Sequence, residues 1–380
     1  MKRTTALPAR PLAAAGALAS NMTSKRAPRT GQKTGQKTEQ PPAEAAAPAG
    51  YTWGDYIEAL VAAHGTLAAV AWKLVERGLA EDAASVERAI RRLRARGQRD
   101  GGLVGTRLLR TFGIPADIEA RARWMGLYHS PFGDLPVQLC IDQLRLWDRP
   151  PVSESRARVW ILLGLASTAL RRRAFADARA TLERAAAAAE SPAARIEHRL
   201  AMGYLASRED PDPARAADAA RPHLDAARAA LAAAAAAEID PVDAACFGAR
   251  LADHEAFAAN RRGDHAAALA RYRALPAADV HPFASYRRDA GLAYGLYRTG
   301  ARDQALALAL RACEHAGDGG YVRLRAMGLL MVARIQGTPA SAGTLARAAA
   351  IAARLEDAEL AVRVERASAR GRPRDDAAAP

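Results

Sequence analysis

The stretch that decides the fold is EAFAANRRGDHAAALARYRALP, residues 255–276. It predicts an amphipathic helix, a turn at Gly263 and a second helix that stops at Pro276, because proline cannot continue a helix. A matching unit follows with its turn at Gly300, so the two turns lie 37 residues apart. A period of this length indicates helical hairpins stacked side by side.

Small side chains recur where the two helices of each unit should touch. They are Ala256, Ala268, Ala293 and Ala305. Helix axes approach to about 8–10 Å only where the side chains between them are short. In this respect the units resemble tetratricopeptide repeats, and a weaker unit with Ala178 and Leu182 precedes them. An ordinary alanine-rich helical bundle is the alternative, because alanine is the best helix former.

The resemblance implies an all-α fold in which residues 153–364 form a right-handed superhelical stack of hairpins. Less regular hairpins are expected at about 193–237 and 321–356. A single hairpin cannot bury its apolar stripe, so contacts between neighbouring hairpins should hold the stack together. We therefore expect an open, curved array with one concave surface.

The second informative segment is 51–112, where three short helices are predicted. Thr66 should cap the second helix, and the third should begin near Asp82 or Ser85. The segment resembles the helix-turn-helix domain of bacterial regulators, although the connection at 76–82 is longer than the usual turn. Beyond the third helix, residues 98–104 form the hairpin of a winged arrangement, or residues from Gly105 to Phe112 are helical.

Arginines cover the side of the third helix that faces away from its apolar residues. Val86, Ile90 and Leu93 share one face at the helical period, which leaves the opposite face and the flanks polar. The candidate DNA contacts are Arg88, Arg91, Arg92, Arg94 and Arg96. Arginine binds guanine edges and phosphates, and a helix of this size fits the major groove of duplex DNA. The alternative is a small helical cap that closes the repeat stack and presents a solvated face.

The net positive charge of the chain comes mainly from arginine. The formal net charge is +14, which favours a nucleic-acid partner, but 50 of the 55 basic residues are arginine. A coding bias towards GC-rich codons explains part of that skew. Residues 21–50 carry almost no large apolar side chains, and the whole stretch 1–50 is predicted to be a disordered basic tail. Residues 365–380 are predicted to be a second disordered tail.

Cysteine spacing and hydropathy bear on the compartment. Cys140, Cys246 and Cys313 are far apart and show neither pairing nor metal-type spacing. This pattern indicates buried packing roles in a reducing compartment, so we expect a cytoplasmic protein. Export is the alternative, because residues 1–19 resemble a secretory signal, and Met22 is a second candidate start. No apolar run approaches the roughly 20 residues of a membrane span, so no membrane partner is expected.

Catalytic motifs are absent from the sequence. The eight histidines are scattered singly, and there is no metal-type His/Cys cluster, nucleophile elbow, phosphate loop or dinucleotide fingerprint. We therefore expect no metal, no cofactor and no enzymatic activity. Residues 113–152 are predicted to be a packed joint, because they hold much of the scarce aromatic content. A ligand pocket lined by those aromatic side chains is the alternative.

The concave surface of a repeat stack is usually lined by the first helix of each hairpin. On this chain the repeat pattern gives candidate peptide contacts at Arg250, Asp253, Phe257, Asn260, Arg261, Arg287, Tyr294, Tyr297 and Arg298. Because the guanidinium of arginine can donate two hydrogen bonds to one carboxylate, the predicted partner is an acidic protein segment. Two functions stay open, a cytoplasmic adaptor and a DNA-binding regulator whose repeats recruit or sense a protein. The oligomeric state is not predicted.

Overall fold

The computed structural model of the chain describes residues 50–79, 82–234, 238–276, 281–337 and 339–370. Within these ranges every regular element is helical, and none is a strand. The predicted all-α class is therefore confirmed. The predicted amino-terminal tail, apart from Gly50, lies outside the described residues, and so does the stretch 371–380.

Four helices form an amino-terminal group with its own core. They are α1 (Trp53–His64), α2 (Leu67–Glu76), α3 (Ala83–Arg94) and α4 (Gly102–Phe112). The first three begin where the side-chain oxygens of Thr52, Thr66 and Asp82 accept backbone N–H bonds. Trp53 and Ile90 are among the fully buried residues of the shared core.

The fourth helix replaces the winged hairpin that was considered for residues 98–104. Helix α4 begins at Gly102, and its Gly105 packs against the indole ring of Trp53. A Cβ atom at Gly105 would lie 2.7 Å from that ring, so glycine is what lets α4 approach α1 closely. The alternative of a helix over Gly105 to Phe112 is therefore the one observed.

No helix within the described residues is by itself long and apolar enough to cross a membrane. Helices α1 and α2 reach that length and hydropathy only when taken together, and the pair is bent by 83° at the break between them.

The joint between the two parts of the chain is helical and packed. It holds α5 (Ala116–Gly126), the 3-10 helix Pro131–Asp134, α6 (Val137–Trp147) and the 3-10 helix Val152–Glu154. Phe132 and Trp147 are buried in the same core as the helices that follow. The joint is therefore continuous with the array rather than a loose linker.

The remaining helices pair as five hairpins followed by one further helix. They are α7 (Arg158–Arg171) with α8 (Phe175–Ala186), α9 (Pro192–Glu209) with α10 (Pro213–Ala233), α11 (Pro241–Arg261) with α12 (His265–Arg273), α13 (Pro282–Arg298) with α14 (Arg302–Asp318), α15 (Val322–Gln336) with α16 (Ala342–Leu355), and finally α17 (Ala358–Arg370). Consecutive helices pack against each other. The hairpins expected at 193–237 and 321–356 correspond to α9 with α10 and to α15 with α16.

Several of the turns inside the hairpins contain a residue with a positive φ angle. Gly263 and Gly300 have φ angles of 84° and 92°, in the left-handed region that glycine favours. Arg173 occupies the corresponding turn of the first hairpin with a φ of 62°, although it is not glycine. Its guanidinium lies over the ring of Phe175 and pairs with Glu359, and these contacts offset the strain.

Small residues lie at the helix crossings, as the sequence predicts. Ala256, Ala268, Ala293 and Ala305 are all fully buried. At the crossing of α12 and α13, the ring of Tyr272 packs directly against Gly291, where any Cβ atom would overlap it. These small residues let the helices of neighbouring hairpins pack closely along the array.

The array differs from the open stack that the sequence predicts, because its last helix returns to its first. Helix α17 packs on α7, and Arg171 at the end of α7 pairs with Asp357 next to α17 at 2.9 Å. The segment between α5 and α6 also contacts the array: Tyr321, the residue before α15, donates its hydroxyl to the carbonyl of His129 at 2.7 Å. Local periodicity carries no signal for ion pairs between such distant residues.

The carboxyl-terminal boundary also differs from the prediction. A tail was expected from residue 365, but α17 continues to Arg370. Leu360 and Val364 are buried against α15 and α16, so the apolar stripe of the last helix has a surface to cover. The part of the predicted tail that the structure describes, 365–370, is therefore helical.

Candidate ligand-binding cavity

A cavity of about 540 Å³ lies on the inner face of the array. The first helices of the hairpins, α7, α9, α11, α13 and α15, line it together with α17, and Tyr128 from the joint forms part of its wall. A volume of this size falls within the range of small-ligand and short-peptide sites.

Most of the residues predicted for the concave surface meet in this cavity. Seven line it: Arg250, Asp253, Phe257, Asn260, Arg261, Arg287 and Tyr294. The other two do not. Arg298 is exposed at the end of α13 and donates to Tyr294 Oη at 3.4 Å, and Tyr297 packs against the core below α13 and α14. Both lie one turn beyond the cavity, where α13 ends.

The lining of the cavity is strongly cationic. Its eight arginines are Arg208, Arg250, Arg261, Arg287, Arg323, Arg334, Arg363 and Arg366, whereas Glu197 and Asp253 are its only carboxylates among the described lining residues. Guanidinium groups keep their charge in proteins, so this excess of positive charge persists at any physiological pH. The cavity is therefore suited to an anionic ligand.

Tyr128 stands among three of these arginines. Its hydroxyl accepts hydrogen bonds from Arg287 Nη2 at 3.1 Å and from Arg323 Nη1 at 3.2 Å. The guanidinium of Arg250 lies 4.5 Å from the centre of its ring. Burial alone would raise the pKa of Tyr128, but the guanidiniums of Arg323, Arg287 and Arg250 lower it to about 8.

Two of the lining arginines each have a carboxylate of their own. Arg250 Nη1 lies 2.7 Å and 2.8 Å from the two carboxylate oxygens of Glu197, and both side chains are buried. Arg287 Nη1 lies 2.7 Å from Asp253, which also accepts the hydroxyl of Tyr272 at 2.8 Å. These charge-assisted bonds hold the wall of α9, α11 and α13 rigid.

Aromatic and sulfur-containing side chains complete the wall. Tyr204, Phe257 and Tyr294 line it beside Met327 and Met331. The guanidinium of Arg208 lies over the rings of Tyr204 and Phe257, at 5.0 Å and 5.2 Å. Burial lowers the pKa of His254, a further lining residue, to about 4, so that its imidazole is neutral near pH 7.

Sequence reasoning misses five of the eight arginines. Arg208, Arg323 and Arg334 lie on α9 and α15, so the rule for first helices would find them once those hairpins are assigned correctly. Arg363 and Arg366 lie on α17, which crosses the predicted boundary at 364 between the repeats and the tail. Tyr128 belongs to the joint, where the sequence offers a pocket lined by aromatic side chains only as the alternative to a packed connection.

The candidate DNA contacts lie on an exposed part of α3 and, for Arg96, two residues beyond its end. Arg88, Arg91, Arg92, Arg94 and Arg96 are all exposed, whereas Ile90 and Leu93 on the other side are buried. Four of the five make local bonds: Arg88 to Ser85, Arg91 to Glu87, Arg94 to Glu58 and Arg96 to the carbonyl of Asp100. Such exposed bonds exchange readily with other partners.

In the part of the chain that the structure describes, no group of three or more His, Cys, Asp or Glu side chains is placed to hold a metal ion. Cys140 and Cys246 are buried, Cys313 is half-buried, and all three are free thiols. Burial raises the pKa of Cys246 to about 12, so this thiol is a packing group rather than a nucleophile.

The chain matches no protein family model, and no curated protein is significantly similar to it.

Proposed function

We propose that the protein is a non-enzymatic interaction scaffold that binds an acidic segment of a partner protein on the inner face of a right-handed, tetratricopeptide-like stack. The observation that carries this proposal is the lining of the cavity, where eight arginines face two carboxylates. Guanidinium groups bind carboxylates through paired hydrogen bonds, and a water-poor wall strengthens them. Acidic side chains of an extended segment supply the matching charge.

The apolar part of the wall supports a peptide rather than a free ion. Phe257, Tyr294 and Met331 offer contacts for the aliphatic or aromatic side chains that separate acidic residues in a protein segment. A ligand that joins both kinds of group would use the whole cavity. A scaffold of this type needs no catalytic group.

The test is binding of a fluorescent peptide that alternates glutamate and leucine, followed by anisotropy with the full-length chain. Arg261→Glu reverses a charge in the cavity and should weaken binding at least about tenfold. Arg298→Glu is the matched control, because it makes the same change at the end of α13 outside the cavity. Equal affinity of both variants and the wild type, or no binding at all, would refute the proposal.

A second function is favoured by the exposure of all five candidate arginines, four on α3 and Arg96 just after it. In this reading the protein is a DNA-binding regulator, in which α3 contacts duplex DNA and the array recruits or senses the protein partner. The charge along α3 suits phosphate contacts, and its length suits the major groove.

A salt titration of the full-length chain on duplex DNA tests this second function. Each phosphate contact that is lost should reduce the slope of log affinity against log salt by about one. Arg88→Ala and Arg91→Ala should therefore weaken binding and flatten the slope. Arg221→Ala is the control, since Arg221 is an exposed arginine on α10 that pairs with Asp218. Absence of binding at low salt would remove the regulator.

A further inference from the structure

At the α17 end of the cavity, guanidinium groups outnumber carboxylates. Asp357 accepts from Arg171 Nε at 2.9 Å and from Arg323 Nε at 2.7 Å. Glu359 forms ion pairs with three further arginines. They are Arg173 at 3.0 Å, Arg363 at 3.2 Å and Arg208 at 3.8 Å. Both carboxylates are at most 5% exposed.

One more carboxylate faces this group. Asp134 accepts the backbone N–H of Arg323, and burial raises its pKa to about 6, so it stays largely charged near neutral pH. The cluster therefore sets five guanidiniums against three carboxylates. Arg173 is 39% exposed, so among the buried and half-buried groups the surplus is one positive charge. Arg250 and Arg287 do not alter this balance, because Glu197 and Asp253 neutralise them.

A surplus of this kind is unfavourable in a protein interior. Buried charges are stable when they are paired and hydrogen-bonded, and arginine cannot release its proton to escape the cost. In addition, the buried Nε of Arg208 makes no hydrogen bond with any described residue. Arg208 is held in place by the rings of Tyr204 and Phe257, so its guanidinium is orientated before a ligand arrives.

We propose that Arg208, Arg323 and Arg363 form a subsite for a phosphate monoester, carried either by a small molecule or by a phosphorylated side chain of the partner segment. A phosphate monoester brings nearly two negative charges and three strong acceptor oxygens, enough to neutralise the surplus and to bind three guanidiniums. A single carboxylate has only two acceptor oxygens for these three groups. The inference rests on the proposed function only in that it uses the same cavity.

The arrangement makes Glu359 a competitor of the ligand. It holds Arg208 and Arg363 in the absence of an anion, and a phosphate would share or displace those bonds. Removing its charge should therefore strengthen phosphate binding, whereas removing a guanidinium should weaken it. A purely structural role for Glu359 would not produce tighter binding.

The test is calorimetric titration of the full-length chain at constant ionic strength. The small-molecule probes are inorganic phosphate and phenyl phosphate. A phosphoserine peptide and its serine counterpart, both with the acidic sequence used for the scaffold test, distinguish the two sources. We expect saturable binding of phenyl phosphate, about tenfold or more weaker in Arg208→Gln and several-fold tighter in Glu359→Gln. Arg221→Gln, a distant exposed arginine, should leave binding unchanged.

Thermal melting of each variant shows whether it folds, and tighter binding by Glu359→Gln cannot come from an unfolded chain. Absence of binding by every phosphate probe, or unchanged affinity in both Arg208→Gln and Glu359→Gln, would overturn the subsite. Binding of the acidic serine peptide without any phosphate binding would overturn the subsite and leave the scaffold standing. Phosphate binding without binding of that peptide would support the subsite and contradict the scaffold.

Discussion

Arg171 and Asp357 lie 186 residues apart in the chain and form an ion pair of 2.9 Å in which both side chains are almost fully buried. The same carboxylate accepts Arg323 and the backbone N–H of Leu360 at 2.9 Å. One side chain thus joins α7, α15 and the first turn of α17. The return of the last helix to the first depends on this junction, and so does one end of the cavity.

Replacing this carboxylate should open the array. Asp357→Asn leaves Arg171 and Arg323 buried without a neutralising charge, which should lower the free energy of unfolding by about 3–5 kcal/mol. Urea unfolding followed by circular dichroism measures the change. Asp225→Asn is the control, because its pair with Arg228 is exposed and should be worth less than about 1 kcal/mol. Equal stability of the two variants would contradict this assignment.

The same junction predicts how stability responds to acid. Burial alone would raise the pKa of Asp357, but Arg323 and Arg171 lower it from its ordinary value of 3.8 to about 2. A carboxyl with a depressed pKa contributes stability above its unfolded value, and that contribution is lost as pH falls through the folded value. The wild type should therefore approach Asp357→Asn in stability between pH 3.8 and about 2. A difference that stays constant across that range would contradict the prediction.

Tyr128 should ionise earlier than an ordinary tyrosine. Its pKa of about 8 lies below the ordinary value of 10, so its ionisation should stabilise the fold as pH rises from about 8 to 10. Near-ultraviolet absorbance of tyrosinate should show one tyrosine titrating near pH 8 in the wild type and none in Tyr128→Phe. Tyr286→Phe should retain that titration, because burial raises the pKa of Tyr286 instead. If no tyrosine of the wild type titrated near pH 8, the conclusion that nearby arginines lower the pKa of Tyr128 would be wrong.

The sequence predicts those features that repeat locally. The turns at Gly263 and Gly300 and the buried alanines such as Ala268 follow from helical periodicity and backbone sterics, and both are found as predicted. The first-helix rule also places Arg250 and Arg287 in the cavity. The turns and the alanines depend on one hairpin and its neighbour, whereas Arg250 and Arg287 also contact Tyr128 from the joint.

The features that the sequence does not predict depend on distant parts of the chain. Arg171 pairs with a residue of α17, and Tyr128 enters the array from the joint. An isolated arginine or tyrosine looks the same whether it meets water or such a partner, so no local pattern reveals these contacts. The closed array and the α17 end of the cavity therefore emerge only from the three-dimensional packing.

The crossing of α12 and α13 should tolerate no side chain at Gly291. In Gly291→Ala the new Cβ atom overlaps the ring of Tyr272, whose hydroxyl is fixed by Asp253, so the ring has little freedom to move. Overpacking of this kind should cost about 1–3 kcal/mol of unfolding free energy. Gly248→Ala is the matched control inside α11, where no atom lies within 4 Å of the added Cβ. It should stabilise the protein by about 0.5–1 kcal/mol, because alanine favours the helix and lowers the entropy of the unfolded chain. Equal destabilisation by both changes would show that overlap with Tyr272 is not the cause.

The arginines of α3 should be dispensable for folding. Arg91 and Arg94 pair with acids on the surface, and such pairs are worth less than about 1 kcal/mol, so Arg91→Ala and Arg94→Ala should unfold at nearly the wild-type urea concentration. On the same helix, Leu93 is only 2% exposed, and Leu93→Ala should cost about 2–5 kcal/mol through the cavity that it leaves. If the arginine variants instead lost as much stability as Leu93→Ala, the arginines would be structural. Any effect of such changes on DNA binding would then reflect unfolding rather than a lost contact.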